Sequence, residues 1–506
     1  MGAPPPIALA GGGVRIADVV RVARDGARVA LTPGALARVA QARAVVEALA
    51  ASDTPIYGVT SALGANTGKP ISQAERGAYQ LRAIRARAVG VGPHRPREFV
   101  RAAMFARAAG MACAGSGVSP GVLEMLLAML DAGVHPVVPS RGSIGVADLA
   151  PLSHIALVLV GEGDAEFEGA IMPGAQALSR ASLAPVALRA KDGLALIGTN
   201  AATVGHAALV LHDCAQALDA LNVAAAASFE GFRANVSPLD PRVQAARPAR
   251  GQGTAALRIA ALLEGSALWH PGAARRVQDP LSYRCVTQVH GAALAALLTA
   301  RDDVEIELNS AADSPLVLAD ANAMPSTGNF HIPALALAFD GLGLALSHCA
   351  ALCVGRCQRM YSPALSGLPL QLTVHGPEQS GFATLQKTLT AIANEVRLLA
   401  NPASLDALPV SEAVEDHAPM AANVVDKTAR MVPLLRELAA IELVTAAQAI
   451  DLRPVAAESL GKGVRAAHEA VRARVARLDE DRPLGPDVDA IAASLHALPV
   501  VDLLAP

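Results

Sequence analysis

Aromatic and charged side chains are both scarce in this chain of 506 residues. Phe, Trp and Tyr make up 3% of the sequence and charged residues 17%, whereas 52% of the residues are hydrophobic. This composition excludes a disordered polymer, because it supplies enough apolar surface to offset the entropy lost on folding. With so few rings, the core has to be filled by Ala, Leu and Val, which pack well between close helices.

An excess of either charge is also missing. The 42 basic and 45 acidic side chains give a formal net charge of −3 at pH 7, which does not build the positive field that nucleic acid requires.

Six cysteines are too few for a disulfide framework, so we expect a reducing compartment, the cytoplasm. The start, MGAPPPIALAGGG, lacks the basic segment of a secretory signal, and polar residues interrupt the charge-free stretches. We therefore expect neither a nucleic-acid nor a membrane partner.

Helical patterns dominate what is present. Pro33 to Ala50 carries an apolar stripe at helical spacing, and Ala201 to Ser228 is nearly uncharged, as a helix buried on all sides would be. Three further segments continue the pattern: Pro377 to Ala400, Ala429 to Leu452 and Gly463 to Leu478. The sequence therefore predicts a mainly α fold, a long helical bundle, and broad apolar helix faces predict an oligomer.

The remaining signals divide the chain in two. Strand patterns are few, and PVVP at 136–139 is one of them. We expect a loop-rich N-terminal active-site region over residues 1–195 and a long-helix bundle over 196–506. Cys349, Cys353 and Cys357 recur every four residues, but thiols at this spacing drift around a helix and cannot close on one tetrahedral ion. The sequence predicts buried thiols there and no metal site.

Five polar segments have no obvious role in folding. Tyr57 lies in a glycine-containing loop, where a phenol can be a general base if its neighbours acidify it, although an ordinary surface tyrosine is also possible. Arg284, in QDPLSYRC, is costly to bury unless a carboxylate of a substrate or of the protein meets it. The other three segments are 135–154, EIELNSAADSPLV with STGNFHIP, and EDHAPM from Glu415; alone, the last two would be taken for caps and turns.

Together and in this order, these segments resemble the aromatic amino acid lyase superfamily, which includes histidine and phenylalanine ammonia-lyases, over nearly the whole chain. The resemblance implies a mainly helical homotetramer whose active sites draw loops from three subunits. It implies a carbon–nitrogen lyase that removes an amine and a β-proton from an amino acid and leaves an unsaturated acid. Tyr57 then matches the base, Arg284 matches the arginine that holds the substrate carboxylate, and the pocket residues are Asn309, Asn329, Phe330 and Glu415.

Other positions depart from the family pattern. The family tyrosine in QDPYSLRC is Leu281 here, and Tyr283 stands two places on, so either Tyr57 or Tyr283 could be the working base. Asn200 follows Gly-Thr where the family has Asn-Gly-Thr, so the family's amide is displaced or lost; if it is displaced, Asn200 is a substrate-binding residue. Lys387 lies on an Ala-rich helix and is either a substrate contact or a cation paired with an internal acid.

The family signature contains Ala-Ser-Gly, which cyclises into an electrophilic methylidene-imidazolone prosthetic group. Here Gly142-Ser143-Ile144-Gly145 is followed by Val146-Ala147 and then by Asp148, so the cyclising serine and glycine are missing. Ser143 matches an upstream position of the family. From this substitution we expect no cofactor.

Without that electrophile, elimination stays feasible if the substrate brings its own activation. A quaternary ammonium does so, because it leaves as a neutral amine. We therefore favour the ergothionase-like branch of the family, which releases trimethylamine from a histidine betaine, with Lys387 and Glu415 at the ring or its sulfur. The alternatives are a histidine or aromatic amino acid ammonia-lyase or aminomutase with a modified route, and an inactive lyase-fold protein that binds a small carboxylate. The substrate ring and the leaving amine stay open.

Overall fold

A computed structural model describes residues 5–52, 54–405 and 408–504, and it confirms a mainly α-helical fold. The α-helices are α1 (Ile16–Ala23), α2 (Pro33–Ala50), α3 (Arg76–Arg85), α4 (Arg97–Ala112), α5 (Pro120–Ala132), α6 (Leu149–Leu159), α7 (Gly174–Arg180), α8 (Asp192–Ile197), α9 (Ala201–Phe232), α10 (Pro241–Ala246), α11 (Gln252–Leu262), α12 (Leu281–Arg284), α13 (Val286–Leu308), α14 (Pro333–Met360), α15 (Pro363–Ser366), α16 (Leu385–Leu399), α17 (Ala421–Asp451), α18 (Lys462–Arg472) and α19 (Gly485–Ala493). The strands are β1 (Ile7–Leu9), β2 (Val29–Leu31), β3 (Val91–His94), β4 (His135–Pro136), β5 (Pro139–Arg141), β6 (Asp164–Phe167) and β7 (Ala170–Pro173).

The chain divides into two compact units, each assembled from separate segments. The first unit comprises Met1–His212, Arg301–Leu337 and Pro402–Asp426, and the second comprises Asp213–Ala300, Ala338–Asn401 and Lys427–Pro506. The boundary predicted between residues 195 and 196 does not coincide with this division. Helix α8 packs against α3 and α6, so the chain stays in the first unit beyond that point.

Helices of the first unit approach one another closely because small residues line their contacts. Nearly every residue of α4 is buried, and so is most of α9, as the sequence predicts for Ala201 to Ser228. A Cβ placed on Gly205 of α9 would lie 2.5 Å from the carbonyl carbon and oxygen of Ala102 in α4. The absence of a side chain at Gly205 therefore sets how near the two backbones come.

The small sheets lie in the first unit. Strands β1 and β2 pair in parallel, β3 pairs antiparallel with β5, and β6 pairs antiparallel with both β4 and β7. The strand predicted at 136–139 is instead two short strands, because Pro136 ends β4 and Pro139 begins β5. Proline lacks the N–H that a continuous ladder needs, and the chain changes sheets between the two prolines.

The ends of two helices show what local sequence determines. Helix α2 has the predicted bounds, since Pro33 occupies its first position and the Thr32 hydroxyl accepts a hydrogen bond from the Ala35 N–H at 3.2 Å. Helix α16 begins at Leu385, later than predicted, because Gly381 has a φ of +55° and interrupts the preceding backbone. The start of α2 is therefore marked by residues next to it in the sequence. The start of α16 depends on the backbone conformation at Gly381, which the sequence pattern does not show.

A buried ion pair lies in the core of the second unit. Arg356 of α14 donates from Nε and Nη2 to the two carboxylate oxygens of Glu442 in α17, at 2.5 and 2.8 Å, and both side chains are fully buried. The Ser228 hydroxyl also donates to Glu442 at 2.6 Å. These bonds satisfy charges that would otherwise be costly to bury.

The predicted thiol cluster also lies in this unit. Cys349, Cys353 and Cys357 are all buried, in agreement with the interpretation as small core residues. Within the described ranges, no group of three or more His, Cys, Asp or Glu side chains could hold a metal ion.

Two helical stretches are long and apolar enough to cross a bilayer by length and composition alone. They are Asp192–Phe232, with a mean hydropathy of 1.6, and Pro333–Met360, with 1.7. The most apolar 18-residue segment of the first stretch is 94% buried inside the protein, as in a core helix, but that of the second is only 44% buried. On α14, Leu337 and Leu344 are 63% and 47% exposed and stand seven residues apart, on one face.

Candidate active site

A cavity of about 320 Å³ in the first unit brings three of the predicted site residues together. Tyr57, Phe330 and Glu415 line it, beside Val146 and Ala147 of the degenerate signature. A volume of this size accommodates a small-molecule substrate. The three residues come from loops far apart in sequence, so the agreement is not a consequence of local spacing.

Tyr57 is held at the cavity wall by a tight loop. Its backbone forms a bridge with Ser61, and the Gly64 N–H donates to the phenolic oxygen at 3.0 Å. Gly58 has a φ of +70°, and a Cβ there would lie 2.5 Å from a methyl group of Leu194. The phenol is half-buried, and the backbone donor supports the charge that its oxygen would carry as a base.

The turn that holds Val146 and Ala147 is fixed by Asp148. This fully buried carboxylate accepts hydrogen bonds from the Ser143 hydroxyl at 2.7 Å and from the N–H and hydroxyl of Thr203 at 2.7 and 2.9 Å. Burial raises the pKa of Asp148, and these donors oppose that rise. Ser143 is therefore engaged in holding the turn.

Asn200 supports the same turn from behind. Its amide nitrogen donates to the Gly145 carbonyl oxygen at 3.2 Å and to the Phe330 carbonyl oxygen. The side chain is buried, and its Oδ1 has no hydrogen-bond partner in the part of the chain that the structure describes. Asn200 thus contacts the backbone around the cavity and is not among the residues that line it.

Glu415 lies on a loop that two further bonds connect to its surroundings. The backbones of Val410 and Glu415 pair with each other, and the Met420 N–H donates to the Ile144 carbonyl oxygen at 3.1 Å. His417 is hydrogen-bonded to His331, with 2.8 Å between Nδ1 and Nε2. Sequence reasoning missed this pair, although each histidine stands within two residues of a predicted pocket residue.

Two predicted asparagines lie elsewhere in the first unit. The Asn309 amide accepts from the Val14 N–H and donates to the Val14 carbonyl oxygen, both at 2.8 Å, so its polar atoms are used to join two segments. Asn329 is exposed. Neither residue lines the cavity, and their predicted role in substrate binding stays a prediction.

The second unit holds the other three predicted residues. Tyr283 is fully buried, stacks on Phe232 with ring centroids 4.3 Å apart, and donates to the Arg356 carbonyl oxygen at 3.3 Å. Burial raises the pKa of Tyr283 well above its ordinary value, so these surroundings favour Tyr57 as the base. Arg284 and Lys387 are exposed, and neither has an ion-pair partner within residues 5–52, 54–405 and 408–504.

Comparison with known proteins places this geometry in context. The model of the aromatic amino acid lyase family matches residues 14–473. A histidine ammonia-lyase from Symbiobacterium thermophilum is 40% identical over 487 residues, 96% of each chain. Among solved structures, ergothionase from Treponema denticola, in complex with desmethyl-ergothioneine sulfonic acid, has a TM-score of 0.94 at 32% identity, over 98% of this chain and 100% of that one. Histidine ammonia-lyase from Trypanosoma cruzi has a TM-score of 0.88 at 30% identity, over 97% and 94%.

These comparisons correct one expectation, that the chain uses no cofactor. Histidine ammonia-lyases at 40% identity over 487 residues imply the prosthetic group that the family forms from Ala-Ser-Gly. The turn itself does not fit the known precursor: Val146 and Ala147 supply neither the serine nor the glycine, and Ser143 is bound to Asp148.

Proposed function

The chain belongs to the aromatic amino acid lyase family of carbon–nitrogen lyases, and we propose that it eliminates trimethylamine from a histidine betaine such as ergothioneine. The observation that carries this proposal is the apolar wall of Val146 and Ala147 in the same cavity as Tyr57. Such a wall suits the methyl groups of a quaternary ammonium, which cannot donate hydrogen bonds. The similarity to ergothionase over nearly the whole of both chains supports the same substrate class.

The proposed reaction assigns the β-proton to Tyr57. Tyr57 acts as the phenolate: its oxygen takes this proton and becomes a neutral phenol, the C–H electrons form the new C=C bond, and the C–N electrons leave with the amine, which departs neutral. The face of Phe330, also on the cavity wall, can stabilise the quaternary cation before the C–N bond breaks. We assign the substrate carboxylate to Arg284 and the imidazole-type ring or its sulfur to Lys387 and Glu415.

We further propose a homotetramer in the cytoplasm, with active sites shared between subunits. Helix α14, whose most apolar 18-residue segment is only 44% buried, supports an assembly that covers it. The exposed charges of Arg284 and Lys387, which have no ion-pair partner among the described residues, are suited to a site completed by another subunit. All six cysteines are free thiols, which is typical of a reducing compartment.

A direct assay tests the substrate. Incubation with ergothioneine should release trimethylamine and an unsaturated acid, and Tyr57→Phe should lower the turnover number about 10²- to 10⁴-fold because the proton acceptor is lost. Retained thermal stability would show that Tyr57→Phe still folds. Ammonium release from histidine, without trimethylamine from the betaine, would contradict the proposal.

That second outcome defines the other candidate function, ammonia elimination from histidine or an aromatic amino acid. The 40% identity to a histidine ammonia-lyase favours it. A parallel incubation with histidine, assayed for ammonium, separates the two reactions in one experiment. Binding of a carboxylate without either product would instead favour an inactive lyase-fold protein.

A further inference from the structure

Two histidines join the segments that carry Phe330 and Glu415. Nε2 of His331 and Nδ1 of His417 are 2.8 Å apart, and the ring centroids are 4.9 Å apart. His331 directly follows Phe330, and His417 stands two residues after Glu415. The bond between the rings therefore connects two cavity-lining segments that are distant in sequence.

The Glu415 segment needs such a connection because its backbone is strained. Ser411, Glu412 and Ala413 all have φ values between +55° and +59°, in the left-handed region where residues other than glycine are unfavourable. The strained turn is closed on itself by the pairing of Val410 with Glu415. Such a conformation persists only when contacts from outside the turn hold it.

The His331 side of the pair is firmly anchored. The His331 backbone bridges that of Val146, and its N–H donates to the Gly328 carbonyl oxygen at 2.8 Å. The Phe330 carbonyl accepts from Asn200. The hydrogen bond from His417 to this anchored ring therefore attaches the Glu415 loop to the Val146 turn and restricts the motion of the loop.

We infer that His331 and His417 form a positioning pair, which holds Glu415 and Phe330 in the arrangement that binds substrate while at least one ring is unprotonated. This role belongs to the site of the proposed function. Only the activity measurement below depends on the proposed substrate. Neither histidine needs to touch the reacting atoms, so the pair acts through the two residues that it places.

The pair has a defined response to acid. Burial and the neighbouring His417 lower the pKa of His331, so its ring is neutral at neutral pH and can share one proton with His417. One added proton preserves an N–H···N bond, whereas a second removes the acceptor and places two cations in contact. The charged groups on the same loop are Glu412, Glu415 and Asp416, whereas the segment Ile144–Ala147, whose Val146 bridges the His331 backbone, carries none.

Amide and apolar replacements of the two histidines distinguish a positioning role of their hydrogen bond from a role in packing alone. His331→Gln with His417→Asn places amide groups near the positions of the bonding nitrogens without a titrating ring, whereas His331→Leu and His417→Leu each remove the bond. The leucine variants should raise KM about 10- to 100-fold, a typical effect of misplaced binding groups, with a smaller change in kcat. The Gln/Asn variant should restore KM and lose the fall in kcat/KM that the parent protein shows below the ordinary histidine pKa of about 6.5. His94→Gln, at an exposed histidine of β3, is the matched control.

A second measurement needs no substrate. Exchange of the histidine C2 hydrogen, followed by mass spectrometry across pH, reports each ring separately. The pKa of His331 should rise in His417→Leu, because a neighbouring cation is removed. An unchanged His331 titration, or leucine variants with the KM and pH profile of the parent protein, would overturn the inference. If ergothioneine is not turned over but the His331 titration shifts, the substrate proposal fails and the pair stands.

Discussion

Two tyrosines that the sequence could not distinguish have different environments in the structure. Tyr57 faces a cavity and accepts a backbone N–H, whereas Tyr283 stacks among core rings and donates to a carbonyl. Both stand in motif-like segments, and the difference arises from what packs around them. The sequence could therefore identify both tyrosines as candidate bases, but their burial and the direction of their hydrogen bonds are set by tertiary contacts.

We expect a small chemical change in the buried ion pair of Arg356 and Glu442 to lower the free energy of unfolding strongly. Glu442→Gln removes one charge, keeps nearly the same volume and leaves a fully buried guanidinium without its counter-charge. Breaking such a pair typically costs about 3–5 kcal/mol in the free energy of unfolding. Urea denaturation followed by circular dichroism measures this loss.

An exposed ion pair with a similar N···O distance provides the control. Lys462 and Glu264 are 2.7 Å apart, with side chains 65% and 64% exposed. Because solvent screens this interaction and replaces it when it is lost, Glu264→Gln should leave the urea midpoint nearly unchanged. If Glu442→Gln and Glu264→Gln lowered the free energy of unfolding equally, burial would not be the reason that the Glu442 pair stabilises the protein.

At the scale of elements, the sequence predicted helices well where their ends carry local signals. Thr32 and Pro33 mark the start of α2 in the sequence itself. The switch between sheets at 136–139 depends on partners in β3 and β6, which no local pattern contains. The same distinction applies to the site: Tyr57, Phe330 and Glu415 could be found from motifs, but the strained turn and its histidine tie could not.

Close packing of α4 and α9 reverses the usual effect of replacing a helical glycine. Gly205→Ala should destabilise the protein by about 1–3 kcal/mol, since its Cβ would meet the Ala102 backbone at 2.5 Å and neither helix can yield locally. Differential scanning calorimetry should record a lower Tm.

The opposite result is expected on an open helix surface. A Cβ on Gly121 of α5 would have no atom within 4 Å, so Gly121→Ala should gain about 0.5–1 kcal/mol through the smaller entropy of the unfolded chain. A rise in Tm for both variants would mean that α4 and α9 can separate at little cost.

For the whole molecule, we expect helix α14 to form part of the subunit contact in the proposed tetramer. Leu337 and Leu344 lie seven residues apart and are exposed to solvent in the single chain, and an exposed apolar face is typical of a protein–protein contact. Size-exclusion chromatography with light scattering should give a tetramer for the parent protein. Leu337→Glu combined with Leu344→Glu should give smaller species, because two charges would enter an apolar contact.

Leu257 of α11 is the matched position for this test, since it is also exposed, at 61%, but stands outside α14. Leu257→Glu should retain the tetramer. A double α14 variant with an unchanged molar mass would place the subunit contact on another surface.

The turn around Val146 also bears on when the protein becomes functional. It is joined to Asn200, to the Phe330–His331 segment and to Met420, and each of these partners emerges from the ribosome later than the turn itself. Because domains fold during synthesis in the order in which their parts become available, the cavity cannot be complete until residue 420 has been made. The nascent chain therefore stays without a finished cavity through most of its synthesis.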